Sequence, residues 1–141
     1  GAVVNFPPRQ IGKVLSEDWD YVESDIRAVQ EVAGERKGVV KVIFETGYLE
    51  ERHTIALCEL CGRVGVAFVK TSTGFGPSGA TVADVRLMRA HSPAHVQVKA
   101  AGGIRTLDDL LALHAAGATR IGTSRTADIL EECRRRQGGS L

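Results

Sequence analysis

Short runs of β-branched residues alternate along the chain with longer stretches in which apolar positions recur every three or four residues. Residues 2–5, 39–45, 66–72, 96–100 and 119–124 read as strands. Phe6-Pro7-Pro8 breaks the first, because proline cannot sit inside a central strand. Residues 11–15 fit neither pattern. Asp18 opens a helix with Trp19, Val22, Ile26, Val29 and Ala33 on one face and Gly34 as its stop. The next helix, residues 50–64, turns Ile55, Cys58, Val64 and either Leu60 or Cys61 inward, and Gly65 caps it. Thr81 with Asp84, and Thr106 with Asp109, have the spacing of N-terminal caps. Val85 and Met88 follow the first cap on one face. Leu107, Leu110, Leu111 and His114 follow the second, with Gly117 as its stop. Residues 126–136 close the chain as a helix.

The order is βαβαβαβαβα, an α/β pattern that predicts a parallel sheet with right-handed crossovers. No linker or low-complexity stretch divides it, so residues 1–141 are expected to form one domain. An open doubly wound sheet and part of a (βα)₈ barrel both fit the alternation. No Gly-x-Gly-x-x-Gly follows the first strand, and glycine, serine and threonine gather after strands rather than after helices. That distribution favours the TIM-barrel type, with about five of its eight units present.

Composition narrows the function. Eighteen basic and seventeen acidic residues leave a net charge of +1, no field for collecting nucleic acid or an anionic membrane. The basic run Arg134-Arg135-Arg136 ends a helix, where cations complement the dipole. No apolar run reaches transmembrane length and no signal peptide is visible. Three cysteines, an odd number, argue against a disulfide framework and for a reducing, cytoplasmic setting. The chain opens at Gly1 without methionine, which reads as a processed or truncated product.

The candidate chemistry lies in two lysines at strand ends, Lys70 in Phe68-Val69-Lys70-Thr71-Ser72-Thr73-Gly74 and Lys99 in Val98-Lys99-Ala100-Ala101-Gly102-Gly103. They are 29 residues apart. Side chains alternate along a strand and neighbouring strands lie roughly 4.8 Å apart, so both amines can meet on one face. Burial and like charge then push one lysine towards the neutral amine that attacks a carbonyl to form an imine. The other stays charged and polarises substrate or moves protons. The plainer alternative is that each lysine reaches solvent or pairs with Glu45. Lys41, another 29 residues upstream, is followed by apolar residues instead of a loop and is expected to form a structural ion pair.

Thr73-Gly74, Gly102-Gly103 and Gly122-Thr123-Ser124 can present backbone N–H groups ahead of helix N-termini, an arrangement suited to phosphate. Tight βα turns alone would also account for these glycines. Cys58 and Cys61 form a C-x-x-C inside a helix and read as packed thiols rather than a redox or zinc pair. The four histidines lack metal-ligand spacing, and no metal or cofactor is expected.

The stretches Lys41-Val42-Ile43-Phe44-Glu45-Thr46-Gly47-Tyr48-Leu49, 68–76, Gly79-Ala80-Thr81-Val82, 98–106 and Arg120-Ile121-Gly122-Thr123-Ser124 closely resemble deoxyribose-phosphate aldolase. The match runs in order from about Ile11 to the C-terminus, roughly the C-terminal two-thirds of the family's barrel. The resemblance implies a class I aldolase that interconverts 2-deoxyribose 5-phosphate with glyceraldehyde 3-phosphate and acetaldehyde without a metal. By position it makes Lys70 the Schiff-base lysine and Lys99 the lysine that perturbs it. Gly74, Gly102, Gly103, Gly122 and Ser124 match phosphate-loop positions. The chain departs from the family in lacking the first strands and the relay aspartate of the fourth. A family Ser-Ser pair reads Ser124-Arg125 here, where Arg125 either grips phosphate or blocks the site. A second reading follows: a partial barrel with impaired catalysis that keeps at most phosphate binding. Its unpaired edges predict a homo-oligomer.

Overall fold

The computed structural model describes residues 3–6 and 11–138 of the chain. Its elements are β1 (Val3–Phe6), α1 (Ile11–Leu15), α2 (Trp19–Glu35), β2 (Val39–Ile43), α3 (Glu51–Val64), β3 (Phe68–Lys70), α4 (Val82–His91), β4 (Gln97–Ala101), α5 (Leu107–Ala115), β5 (Ala118–Gly122) and α6 (Thr126–Arg136). The five strands are parallel and stand in chain order, β1-β2-β3-β4-β5. No strand-order reversal occurs, so successive right-handed crossovers lay their helices on one side of the sheet. The doubly wound alternative is thereby excluded. What remains is a partial (βα) barrel, open at β1 and β5.

The helix-covered face carries the core. Val40 and Val42 of β2, Val69 of β3, and Val98 and Ala100 of β4 pack against Ile26, Leu60, Val85, Met88 and Leu113 from the helices. Alternation leaves Lys41, Ile43, Phe68, Lys70, Gln97 and Lys99 on the opposite face.

The helix caps follow the sequence. Asp18 accepts from Tyr21 N–H, Thr81 from Asp84 N–H, and Thr106 exchanges a reciprocal pair of bonds with Asp109. The acidic Asp109 is held below its ordinary carboxylate range by the N–H groups of Arg105 and Thr106.

Several expectations are corrected. Phe6, assigned to the break, is the last residue of β1, while Ala2 and residues 7–10 lie outside the described residues. The ambiguous segment 11–15 is the short helix α1. Helix α2 runs through Gly34 and ends at Glu35; the left-handed turn falls on Lys37, at φ 54°. In α3 the buried face is His53, Thr54, Leu57, Cys58, Leu60 and Cys61, with Ile55 turned partly outward. In α5 Leu107 is buried as expected and Leu113 is the other buried residue, while Leu111 is exposed and His114 uses its Nδ1 at 3.0 Å from Ala118 O. An all-apolar stretch, Leu110-Leu111-Ala112-Leu113, does not reveal its inward phase; contact with β5 and α6 decides it.

Leu113→Ala should therefore cost about 2–4 kcal/mol, while Leu111→Ala should cost under about 1 kcal/mol. Denaturant midpoints of the two variants check this assignment.

Candidate active site

Strands β3 and β4 set the site. Their parallel register pairs Lys70 directly with Lys99, and Lys99 in turn pairs with Arg120 of β5. All three project from the face that the helices do not cover. The backbone continues the ladder beyond the strands: Thr71 N–H donates to Lys99 O at 3.0 Å, and Thr46 N–H to Thr71 O at 2.9 Å. Thr71 Oγ1 then accepts from Ala101 N–H at 3.1 Å, and Ser72 Oγ donates to Ala101 O at 2.5 Å. These buried bonds tie the loop after β3 to the end of β4.

The loops enclose a cavity of about 710 Å³. Lys70, Thr73, Gly74, Gly102, Gly103, Gly122 and Ser124 all line it, together with Arg105 and Arg125. Gly102 and Gly103 have φ of 93° and 73°, a consecutive left-handed pair that side chains other than glycine rarely adopt. Gly122 serves differently: a Cβ there would stand 3.2 Å from Lys99 Cε and 3.8 Å from Nζ. Lys99 thus lies under the cavity floor, in space that the missing side chain leaves. Thr123 Oγ1 donates to Ile104 O at 2.7 Å and accepts from Arg125 N–H at 3.0 Å, joining the last two loops. The Arg125 guanidinium pairs with Asp128 at 2.7 Å at the cavity rim.

Burial first, and the neighbouring Lys99 charge second, hold the Lys70 amine below its ordinary value of 10.5. Glu45 opposes that shift. It sits at φ 40°, an uncommon conformation for a carboxylic residue, and its buried carboxylate accepts from Thr73 N–H.

Lys41 is where the sequence reading fails. It was expected in a structural ion pair, yet it is 7% exposed and has no carboxylate partner among the described residues. It stands on the same face as Lys70, over the Phe68 ring at 5.8 Å, with the Arg120 guanidinium over that ring at 4.4 Å. Burial chiefly, then the charge of Lys99 and a hydrogen bond to it, lower its pKa from 10.5. Register puts it there: Ile43 is the partner of Lys70, and Lys41, two residues earlier and opposite Phe68, shares that face. The cysteines behave as read, with Cys58 and Cys61 fully buried and burial pushing Cys58 up to about 11. Among the described residues no group of His, Cys, Asp and Glu is arranged to hold a metal. None of the described helices is long and apolar enough to cross a membrane.

The depressed lysines fix a pH dependence of stability. The unfolded chain binds more protons below 10.5 than the folded one, so their contribution to stability rises with pH up to that value. Lys41→Met should raise stability at neutral pH by on the order of 1 kcal/mol, because a buried charge without a counter-ion is removed. Thermal melts should show that gain shrinking as pH approaches 10.5.

No protein-family model matches the chain. A curated relative, deoxyribose-phosphate aldolase of Rhodopirellula baltica, is 52% identical over 128 residues, which cover 91% of this chain and 53% of that protein. Among solved structures, the aldolase QR15 superimposes with a TM-score of 0.82 at 36% identity, over 96% of this chain and 59% of its own. The tetrameric deoxyribose phosphate aldolase of Aeropyrum pernix gives 0.76 at 32% identity, over 82% of this chain and 50% of its own. The chain spans about half the length of the proteins it matches. By sequence and by fold it is a homologue of the deoxyribose-phosphate aldolases.

Proposed function

We propose that the chain supports Schiff-base aldol chemistry of the deoxyribose-phosphate type. In this reading it reversibly cleaves 2-deoxyribose 5-phosphate to glyceraldehyde 3-phosphate and acetaldehyde, as a cytoplasmic step of deoxyribonucleotide breakdown. The observation that carries it is the pairing of Lys70 with Lys99 at a cavity walled by glycine loops. Of the two amines depressed by burial, Lys70 is the one that lines the cavity, so it is the group that adds to the aldehyde carbonyl and then expels water as the imine forms. The neighbouring charge of Lys99 favours the neutral state of Lys70, and Lys99 is the group that moves protons at the intermediate.

Thr73, Gly74, Gly102, Gly103, Gly122 and Ser124 hold the substrate phosphate through the loop N–H groups. Arg125 adds a guanidinium on the same side, restrained by Asp128. Its position at the rim favours gripping phosphate over blocking the amine.

Borohydride reduction in the presence of acetaldehyde should attach an ethyl group to Lys70, detected by peptide mass. Lys70→Ala should abolish the adduct, and a wild-type chain that cannot be trapped overturns the reading.

A second reading is favoured by the strand order: β1 and β5 are unpaired edges of an open sheet. A partial barrel of this kind completes itself by associating with further copies. Lys41, Lys70, Lys99 and Arg120 share the open face, so like charge opposes face-to-face packing and directs association to the edges. Light scattering should report a multimer, and a monodisperse monomer would remove this reading.

A further inference from the structure

Three non-glycine residues among those described have a left-handed backbone, and two of them, Glu17 and Lys37, are exposed and lie beside helix ends. Glu45 is the third, at φ 40°, and it is 2% exposed. A carboxylate that is both buried and held in an unfavourable conformation has to be fixed by its surroundings. The main chain does part of this. Phe44 N–H donates to Lys70 O and Thr46 N–H to Thr71 O, each at 2.9 Å, so Glu45 stands beside the end of β3.

The side chain does the rest. Glu45 Oε1 accepts from Thr73 N–H. Its Oε2 occupies the place of a side chain at Gly76, where an added Cβ would overlap it. One carboxylate therefore grips the loop after β3 on both sides of Gly74-Phe75, two residues that line the cavity. Thr73 Oγ1 accepts from Phe75 N–H at 3.2 Å and tightens the same turn. Phe75 is 98% exposed and has no core to hold it, so the place of that wall depends on these contacts. Burial and then the Lys99 charge lower the Lys70 pKa, and Glu45 opposes both. An iminium at Lys70 puts a lasting cation among Lys41, Lys99 and Arg120 on the open face and Arg105 and Arg125 at the cavity. A buried anion within electrostatic reach offsets that repulsion.

We propose that Glu45 is a positioning residue of the Lys70 site: one buried carboxylate pins the Gly74-Phe75 wall at both ends and provides the counter-charge for the nitrogen that becomes cationic. This role rests on Lys70 forming the imine, and it adds to that reading a residue outside the cavity lining.

Glu45→Gln and Glu45→Ala separate the two roles. Glutamine keeps an acceptor for Thr73 N–H and removes the charge, while alanine removes both. Acylation of Lys70 by acetic anhydride, followed by peptide mass as a function of pH, reads the amine without aldol turnover. In both variants its reactivity should appear at lower pH than in the wild type. Lys41, Lys99, Arg105, Arg120 and Arg125 remain, and the charge that opposes the depression is gone. Trapping with acetaldehyde and borohydride should shift in the same direction. Hydrogen exchange at the Thr73 amide should stay protected in Glu45→Gln and quicken about tenfold in Glu45→Ala, the loss of one hydrogen bond. Circular dichroism establishes the fold of each variant. Should Glu45→Ala unfold, Gly76→Ala, which displaces the carboxylate and keeps its charge, takes its place in the exchange measurement. A Lys70 profile unmoved in Glu45→Gln, or Thr73 exchange equal in all chains, overturns the proposal, and if the wild type is still trapped the imine reading survives alone. A wild-type chain that cannot be trapped overturns that reading and the role at the iminium with it.

Discussion

Everything in this molecule depends on strand alternation acting across an in-register parallel sheet. A strand has two faces, and in β2, β3 and β4 one face is given to valine and alanine while the other carries all three lysines, with Ile43, Phe68 and Gln97. Because the strands run parallel and in chain order, the helices must all cover one side, and they cover the apolar one. The amines are left together on the other. Register does the rest, placing Lys70 beside Lys99 and Lys99 beside Arg120. A slip of one residue in β3 would bury Lys70 under the helices and expose Val69, which the core forbids.

Bringing cations together costs stability, and the structure shows where the cost is contained. Lys41 is buried against Phe68 without a carboxylate, and its proton is weakened chiefly by loss of water. Lys70 differs in facing the cavity and in feeling Glu45, which opposes its shift. Glu45 holds a left-handed backbone conformation so that its carboxylate can meet the loop N–H of Thr73 while remaining within electrostatic reach of Lys70. The strain at Glu45 and the depression of the two lysines lie at one end of the sheet. At the other end the positive-φ residues Lys37, Gly65 and Gly117 serve only to end helices. That asymmetry is the mark of a site built at the carboxyl ends of strands.

Most of this organisation is legible in the chain. The two threonine caps, the helix ended by Gly65 and the placement of loop glycines after strands each rest on local chemistry that tertiary contacts do not override. The failures have physical reasons. Gly34 does not stop α2 because Glu35 continues the helix and Lys37 tolerates the left-handed turn. Leu111 and Leu113 cannot be ranked from a continuous apolar run, since either could face inward until α5 is docked. Lys41 was misread because its successors are apolar, which describes the loop it lacks and not the face it occupies. That face follows from the β2–β3 register, which sets Lys41 opposite Phe68 and Ile43 opposite Lys70.

The net charge of +1 conceals the feature that matters most for chemistry. Acids and bases are spatially sorted. On the helical exterior they neutralise one another, as in Glu23 with Arg27 and Arg63, Asp108 with Arg136, and Glu132 with Arg136. On the open face Lys41, Lys70, Lys99 and Arg120 have only each other and the engaged Glu45. A sum over the sequence averages these populations to nearly nothing, while a small anion entering the cavity meets Lys70 together with Arg105 and Arg125. Exposed pairs on the exterior contribute little to stability and are weakened by salt. The amines of the open face are shielded from solvent on the helix side, so their mutual repulsion is screened far less. The fold thus separates charge that is energetically idle from charge that perturbs a nucleophile, and it does so with the same alternation that builds its core.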